Sequence, residues 1–176
     1  MPAVNIQKLK WRCWLTLGGL CVIATIIVWH AAIPCFFVAR SMTMWPSIAP
    51  GDVVLIKKTE THDLARWSVV VYKLFAESNI ISIARVVGLP SESILVTASN
   101  VLVTGVSFQP PGTIAYQHNS TAKYGVEVPV SIPKDSLFLV ADNSAQSIDS
   151  RMLGPITISQ VEGKVIHVFH RQPNPK

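Results

Sequence analysis

The sequence predicts a mainly β domain, an antiparallel barrel or sandwich, preceded by one N-terminal transmembrane helix. Three observations predict it. A long uncharged apolar stretch lies near the start of the chain. Short β-branched runs recur through the remainder. Clusters of Pro, Gly, Asn, Asp and Ser separate those runs at short spacing.

The apolar stretch comes first in the chain. From Cys13 to Ala39 there is no Asp, Glu, Lys or Arg, and its core, Leu15–Ala32, reads LTLGGLCVIATIIVWHAA. A bilayer span takes roughly 20 apolar residues at about 1.5 Å of rise each, which this stretch supplies. Trp11, Trp14 and Trp29 fall near its ends, where amphipathic rings favour the membrane interface. Lys8, Lys10 and Arg12 precede it and only Arg40 follows closely. That asymmetry places the N-terminus in the cytosol or matrix and everything after Arg40 across the membrane. A cleaved secretory signal has a shorter apolar core, roughly 7–15 residues, so a retained anchor is expected. The chain divides accordingly into a basic segment over 1–12, the anchor over 13–38, the β domain over 39–172 and a tail over 173–176.

Composition agrees with this division. Hydrophobic residues make up 49% of the 176 and charged residues 14%, too apolar a balance for a typical soluble domain. The formal net charge is +5, but Lys8, Lys10, Arg12 and Arg40 flank the anchor, so the excess belongs largely to membrane topology. No basic patch with interleaved aromatics occurs, and nucleic acid is not an expected partner. Cys13, Cys21 and Cys35 all lie in or beside the anchor, which leaves the β domain without a disulfide. His62 and His118 are isolated, and His167 and His170 are three apart, facing opposite sides of a strand. No metal site and no cofactor are expected.

The strand-like runs are Val53–Ile56, Val69–Tyr72, Ile80–Val87, Ile94–Val96, Val101–Val103, Val126–Val130, Leu137–Val140 and Val165–Phe169. Turn signals stand between them at Ala49-Pro50-Gly51-Asp52, Gly88-Leu89-Pro90-Ser91, Pro110-Pro111-Gly112 and Asp142-Asn143-Ser144. The polar stretch Gln109–Lys123 reads as an exposed loop, and Pro155–Gln160 has room for one helical turn at most.

Three segments carry a family resemblance. Ser41-Met42-Thr43-Met44-Trp45-Pro46-Ser47-Ile48, followed by Gly51-Asp52-Val53, resembles the S-M-x-P-T/S … G-D-x-V box of type I signal peptidases. Ile83-Ala84-Arg85-Val86-Val87-Gly88-Leu89-Pro90 resembles the family's I-K-R-V-x-G-L-P-G-D strand and turn. Ala141-Asp142-Asn143 through Ser147, Asp149 and Arg151 to Gly154 is similar to G-D-N-x-x-N-S-x-D-S-R…G. The three stand in the family's order behind a single anchor. The short chain and compact spacing look most like the mitochondrial inner-membrane peptidase subunits, with a compact bacterial protein as the alternative.

The resemblance implies cleavage of presequences by a Ser–Lys dyad. A serine hydroxyl needs a base within hydrogen-bond reach, and lysine serves only when desolvation lowers its pKa. The nucleophile position, three before Pro46, holds Thr43, and the base position, immediately before Arg85, holds Ala84. Threonine keeps the hydroxyl but adds a methyl and a stiffer torsion. Arginine stays protonated, so Arg85 is no substitute base. The resemblance further implies Ser41 as an oxyanion donor and Ser147 as the residue that positions the lysine. It implies Pro46, Arg85, Asp142 and Asn143 as scaffold, and Asp149 with Arg151 as a bracing ion pair. Met42, Met44 and Trp45 resemble the family's apolar surface, which dips into the bilayer. Three family glycines are replaced, by Ala141, Ser91 and Trp67. Ala141 is expected to narrow the groove or to strain a positive-φ position.

A kept fold with a lost dyad implies a non-catalytic subunit in an inner-membrane complex. Its expected partners are membrane lipid, a protein such as an active peptidase subunit, and a presequence peptide. The β domain would stand in the intermembrane space, or in the periplasm of a bacterium. The alternative is an active or weakly active endopeptidase using Thr43.

Overall fold

The computed structural model describes residues 35–58, 63–98, 100–112, 114, 116, 122–145 and 147–171. The basic segment, the anchor as far as Pro34, the tail, and His62 and His118 lie outside the described residues. No helix among the described residues is long and apolar enough to cross a membrane. The unit that begins at Cys35 is built from antiparallel strands.

Cys35–Val38, counted with the anchor in the sequence, form strand β1. Its register on β2 (Val53–Lys57) runs from Cys35↔Ile56 to Val38↔Val53. An apolar tetrapeptide reads equally as the end of a span or as a strand, and a complementary β-branched partner decides for the strand. Next along the chain come β3 (Val69–Lys73) and β4 (Ile81–Gly88), then β5 (Ser93–Val96) and β6 (Val101–Val103). After them come β7 (Val106–Phe108), β8 (Val130–Ser131), β9 (Ser136–Val140), β10 (Ile156–Thr157) and β11 (Val161–Phe169). They form a seven-stranded sheet ordered β1-β2-β11-β3-β4-β9-β10 and a four-stranded sheet ordered β7-β6-β5-β8.

Three local features differ from expectation, each for a physical reason. Strand β7 follows a tight turn in which Thr104 and Gly105 both take positive φ, 48° and 82°, the backbone that two-residue hairpins require. The Val126–Val130 run forms no strand before Val130, because Pro129 cannot donate to a ladder. A single helical turn, Ser150–Leu153, stands in the third box, started by the Asp149 carboxylate accepting from the Arg151 amide. The expected turn near Pro155–Gln160 is present as a 3-10 turn, Ile158–Gln160.

Period-two alternation sorts the side chains into clusters. On one face of β4, Ile83 packs with Val54, Val71, Met44, Ile48 and Ala141, and Val87 packs with Ile94, Tyr116 and Phe138. On the other face Ala84 and Val86 pack with Val70, Tyr72, Leu137 and Leu139. Arg85 therefore lies between two apolar clusters on its face. Gly88 is required by space: a Cβ there would overlap Ile132 and press on the Phe138 Cβ at 2.9 Å.

Candidate active site

The loop Arg40–Gly51 carries the first box, and it is tied at both ends. Ala39 donates to the Asp52 carbonyl at 2.9 Å and accepts from Gly51 at 2.7 Å. The buried Asp52 carboxylate accepts from the Ala49 and Arg171 amides at 2.9 and 2.8 Å and meets His170 Nδ1 at 2.9 Å. Burial works to raise the Asp52 pKa, but these bonds, the Arg171 amide first, outweigh it and hold the carboxyl below its ordinary value.

The three boxes meet in space. Asn143 donates from its backbone to the Thr43 carbonyl at 2.9 Å and from its side chain to the Met42 carbonyl at 3.0 Å. Ser147 is buried and donates its hydroxyl to the Asn143 carbonyl at 2.5 Å. Asp142 accepts from Arg85 Nε and Nη2 at 2.8 and 2.6 Å, a two-pronged pair closed by a bond from Nη1 to the Trp67 carbonyl at 2.9 Å. Burial opposes the Arg85 charge, yet the bonds and charge of Asp142 hold its pKa above the usual value. One layer deeper, Arg151 pairs with Asp149 at 2.7 Å, and the same carboxylate accepts from the Ala141 amide at 3.2 Å. The first box is thus braced, through Asn143 and Asp142, on the second.

The two positions that the resemblance assigns to nucleophile and base have different surroundings. Thr43 Oγ1 lies 2.8 Å from Ser41 Oγ, two hydroxyls at an exposed loop. Ala84 is fully buried, and its side chain points away from the Arg85 face of β4 into the cluster of Val70, Tyr72, Leu137 and Leu139. The described lysines are exposed or half-exposed, with Lys73 held by Glu162 at 3.3 Å and Lys164 by the Asp63 carbonyl at 3.1 Å. No three His, Cys, Asp or Glu side chains among the described residues converge as metal ligands.

Met44 is not part of an exposed apolar surface, because it is fully buried in the core; Met42 and Trp45 are exposed. Ala141 does not strain the backbone. Its φ is not positive, and its methyl packs in the core beneath the loop. The strained replacements are Trp67 and Ser91, which hold φ of 72° and 66° at positions where the resemblance places glycine.

Sequence reasoning missed Tyr72. The register Val70↔Ala84 and Tyr72↔Ser82 sets its ring diagonally beside Ala84, within reach of an aromatic side chain. Its hydroxyl is buried without a hydrogen-bond partner. Burial pushes its pKa up to about 12; the Ser82 hydroxyl opposes this, and the Asp149 charge adds a lesser push upward. Only the β3–β4 register reveals this neighbour. An open hollow of 330 Å³ lies beside the braced boxes, lined by Pro46, Ser47, Arg85, Pro111, Gly112 and Ile114.

The chain is similar to known proteins along most of its length. Signal peptidase I T of Bacillus subtilis strain 168 is 27% identical over 173 residues, 92% of this chain and 88% of that protein. Signal peptidase I V of the same organism is 26% identical over 167 residues, 89% of this chain and 98% of that protein. A solved signal peptidase I from Enterococcus faecalis V583 superimposes with a TM-score of 0.47 at 21% identity, over 62% of this chain and 98% of that one. The family model described as signal peptidase, peptidase S26, matches residues 11–170. With its three boxes braced against one another and nearly its whole length matched, the chain belongs to the signal peptidase S26 family.

Proposed function

We propose that this chain is a membrane-anchored, catalytically silent member of its family, serving as a structural or partner-stabilising subunit beside an active peptidase. One observation carries the reading: the base position is Ala84, fully buried among apolar side chains, and the described lysines are exposed or half-exposed rather than enclosed. An unassisted threonine hydroxyl is a poor nucleophile at neutral pH. Losing a dyad member typically costs several orders of magnitude in rate. The scaffold around the lost dyad supports a role for the fold itself, since Arg85–Asp142 and Asp149–Arg151 persist as buried ion pairs. The uncharged stretch after Arg12 supports a single-pass anchor, with the β domain across an inner membrane from the N-terminal cations. The compact spacing of the boxes favours the mitochondrial inner membrane; the Bacillus relatives favour a bacterial one. Presequence peptide is the ligand class that the family name suggests.

The deciding experiment is cleavage of a model presequence in detergent by the wild type and by Thr43→Ser with Ala84→Lys. A lysine at position 84 would be enclosed by apolar atoms, the setting that lowers an amine pKa. The expected outcome is silence from the wild type and turnover at least about a hundredfold above background from the double variant. Cleavage by the wild type that disappears in Thr43→Ala would overturn the reading and establish an active endopeptidase using Thr43.

A further inference from the structure

The four-stranded sheet ends in an unguarded edge. From Ser93 to Ala122 there is no Asp, Glu, Lys or Arg, so β5, β6 and β7 carry no charged side chain. Natural sheets protect an edge strand with charge, proline or a bulge. At the other edge Pro129 stands directly before β8, whereas Val106-Ser107-Phe108 has none of these devices. Val106 and Phe108 pair with Val103 and Val101, so they share the core-facing side of the sheet with two buried residues. Phe108 packs on the core, but Val106 is 58% exposed because β7 is the last strand of its sheet. The Arg66 guanidinium covers the Phe108 ring at 4.7 Å, and its charge is offset by Glu92 at 2.5 Å.

The turn at Thr104-Gly105 fixes which backbone groups this edge offers. In a two-residue hairpin the flanking residues, here Val103 and Val106, exchange ladder bonds, and bonded and non-bonded pairs then alternate. Leu102 and Ser107 are the next pair, so the exposed Ser107 turns its N–H and C=O away from β6. That geometry is complementary to itself. When a second β7 runs antiparallel beside the first with the two Ser107 residues opposed, they exchange backbone bonds as a hydrogen-bonded pair. Val106 then lies opposite Phe108 of the second copy, at a non-bonded position where side chains come closest. An aromatic residue opposite a β-branched one is a favourable cross-strand pair. Pro110 has no N–H and ends the ladder.

We infer that this edge docks a second copy of the chain, β7 pairing antiparallel with β7 about a two-fold axis at Ser107. The occupant is a second copy because one register satisfies backbone and side chains on both partners at once, as a two-fold interface requires. The uncharged strand also lacks the repulsion that keeps like edges apart. The ladder is short, so the dimer belongs to the weak, exchangeable class. The pairing is independent of whether the chain cleaves peptides.

The test uses the full chain in detergent and follows association by sedimentation over a concentration series. The wild type is expected to dimerise. Ser107→Lys and Ser107→Glu each set like charges opposite one another at the axis, and each alone is expected to weaken association about fivefold. Mixing the two is expected to restore it as a mixed dimer, with the melting temperature of each variant unchanged because Ser107 is exposed. Cysteine trapping checks the register, in a background of Cys13→Ser, Cys21→Ser and Cys35→Ser. Ser107→Cys is expected to form a disulfide with its own copy, whereas Val106→Cys stands diagonal to its copy at roughly 7–8 Å and is out of reach. A wild type that stays monomeric across the series, no recovery on mixing, or equal trapping at the two positions would each overturn the inference. Trapping of Ser107→Cys in cell membranes to a protein of another mass would overturn it too, and would assign the edge to that protein.

Discussion

Ser91 and Trp67 hold left-handed backbone that glycine adopts without strain and other residues do not. Their surroundings over-determine the conformation. The Ser91 amide donates to the Ile132 carbonyl at 3.0 Å, and Glu92 closes the turn by accepting from Leu89 at 2.6 Å and from Arg66 at 2.5 Å. Trp67 is fastened through its amide to Val86 at 2.7 Å and through its carbonyl to Arg85. Local strain persists where several bonds fix a residue. Ser91→Gly is therefore expected to stabilise the domain by about 0.5–1 kcal/mol, reduced from the full strain energy by the greater freedom of an unfolded glycine. A raised urea midpoint with an unchanged slope would bear this out, and a lowered midpoint would contradict it.

At the scale of elements, Asp52 fastens the start of β2 to the end of β11 and to the first-box loop. Its pKa is depressed on folding, so its contribution is present in full above the ordinary carboxyl value of 3.8 and disappears as pH falls through the lower folded value. Asp52→Asn is expected to flatten the acid limb of the stability profile below that value, measured by urea unfolding at stepped pH. Equal acid slopes in wild type and variant would show that Asp52 does not carry it. The elements differ in how far they could be read from sequence. The runs at Val69, Ile81 and Ser136 have enough consecutive β-branched or aliphatic residues to declare themselves. Strand β1 does not, because Cys35-Phe36-Phe37-Val38 continues the composition of the apolar stretch before it. The turn Ser150–Leu153 is hidden in polar motif residues and depends on the Asp149 cap. At the candidate site Thr43 and Ala84 are picked out by box spacing alone, whereas Tyr72 beside Ala84 is a consequence of register, which no local pattern encodes.

Across the whole domain, the Arg85–Asp142 pair is the joint between the core clusters on the Arg85 face of β4 and the third box. Both side chains are withdrawn from water, so removing one partner strands the other charge. Asp142→Ala is expected to cost about 3–5 kcal/mol and to loosen the first-box loop with it. Chemical unfolding measures the first effect and backbone hydrogen exchange at Met42–Met44 the second. A loss below about 1 kcal/mol would place the joint elsewhere. Arg85 and Ala84 occupy opposite faces of one strand, so the residue that braces the fold and its neighbour are mutable independently.

The Asn143 side chain also gives the domain a chemical clock. It is an amide followed by Ser144, and its nitrogen donates to the Met42 carbonyl at 3.0 Å. Hydrolysis of that amide would replace a donor with a carboxylate that only accepts, facing a carbonyl across the same gap. The bond that latches the first box to the third would become a repulsion. The backbone bond from Asn143 to the Thr43 carbonyl would then be left to hold the loop.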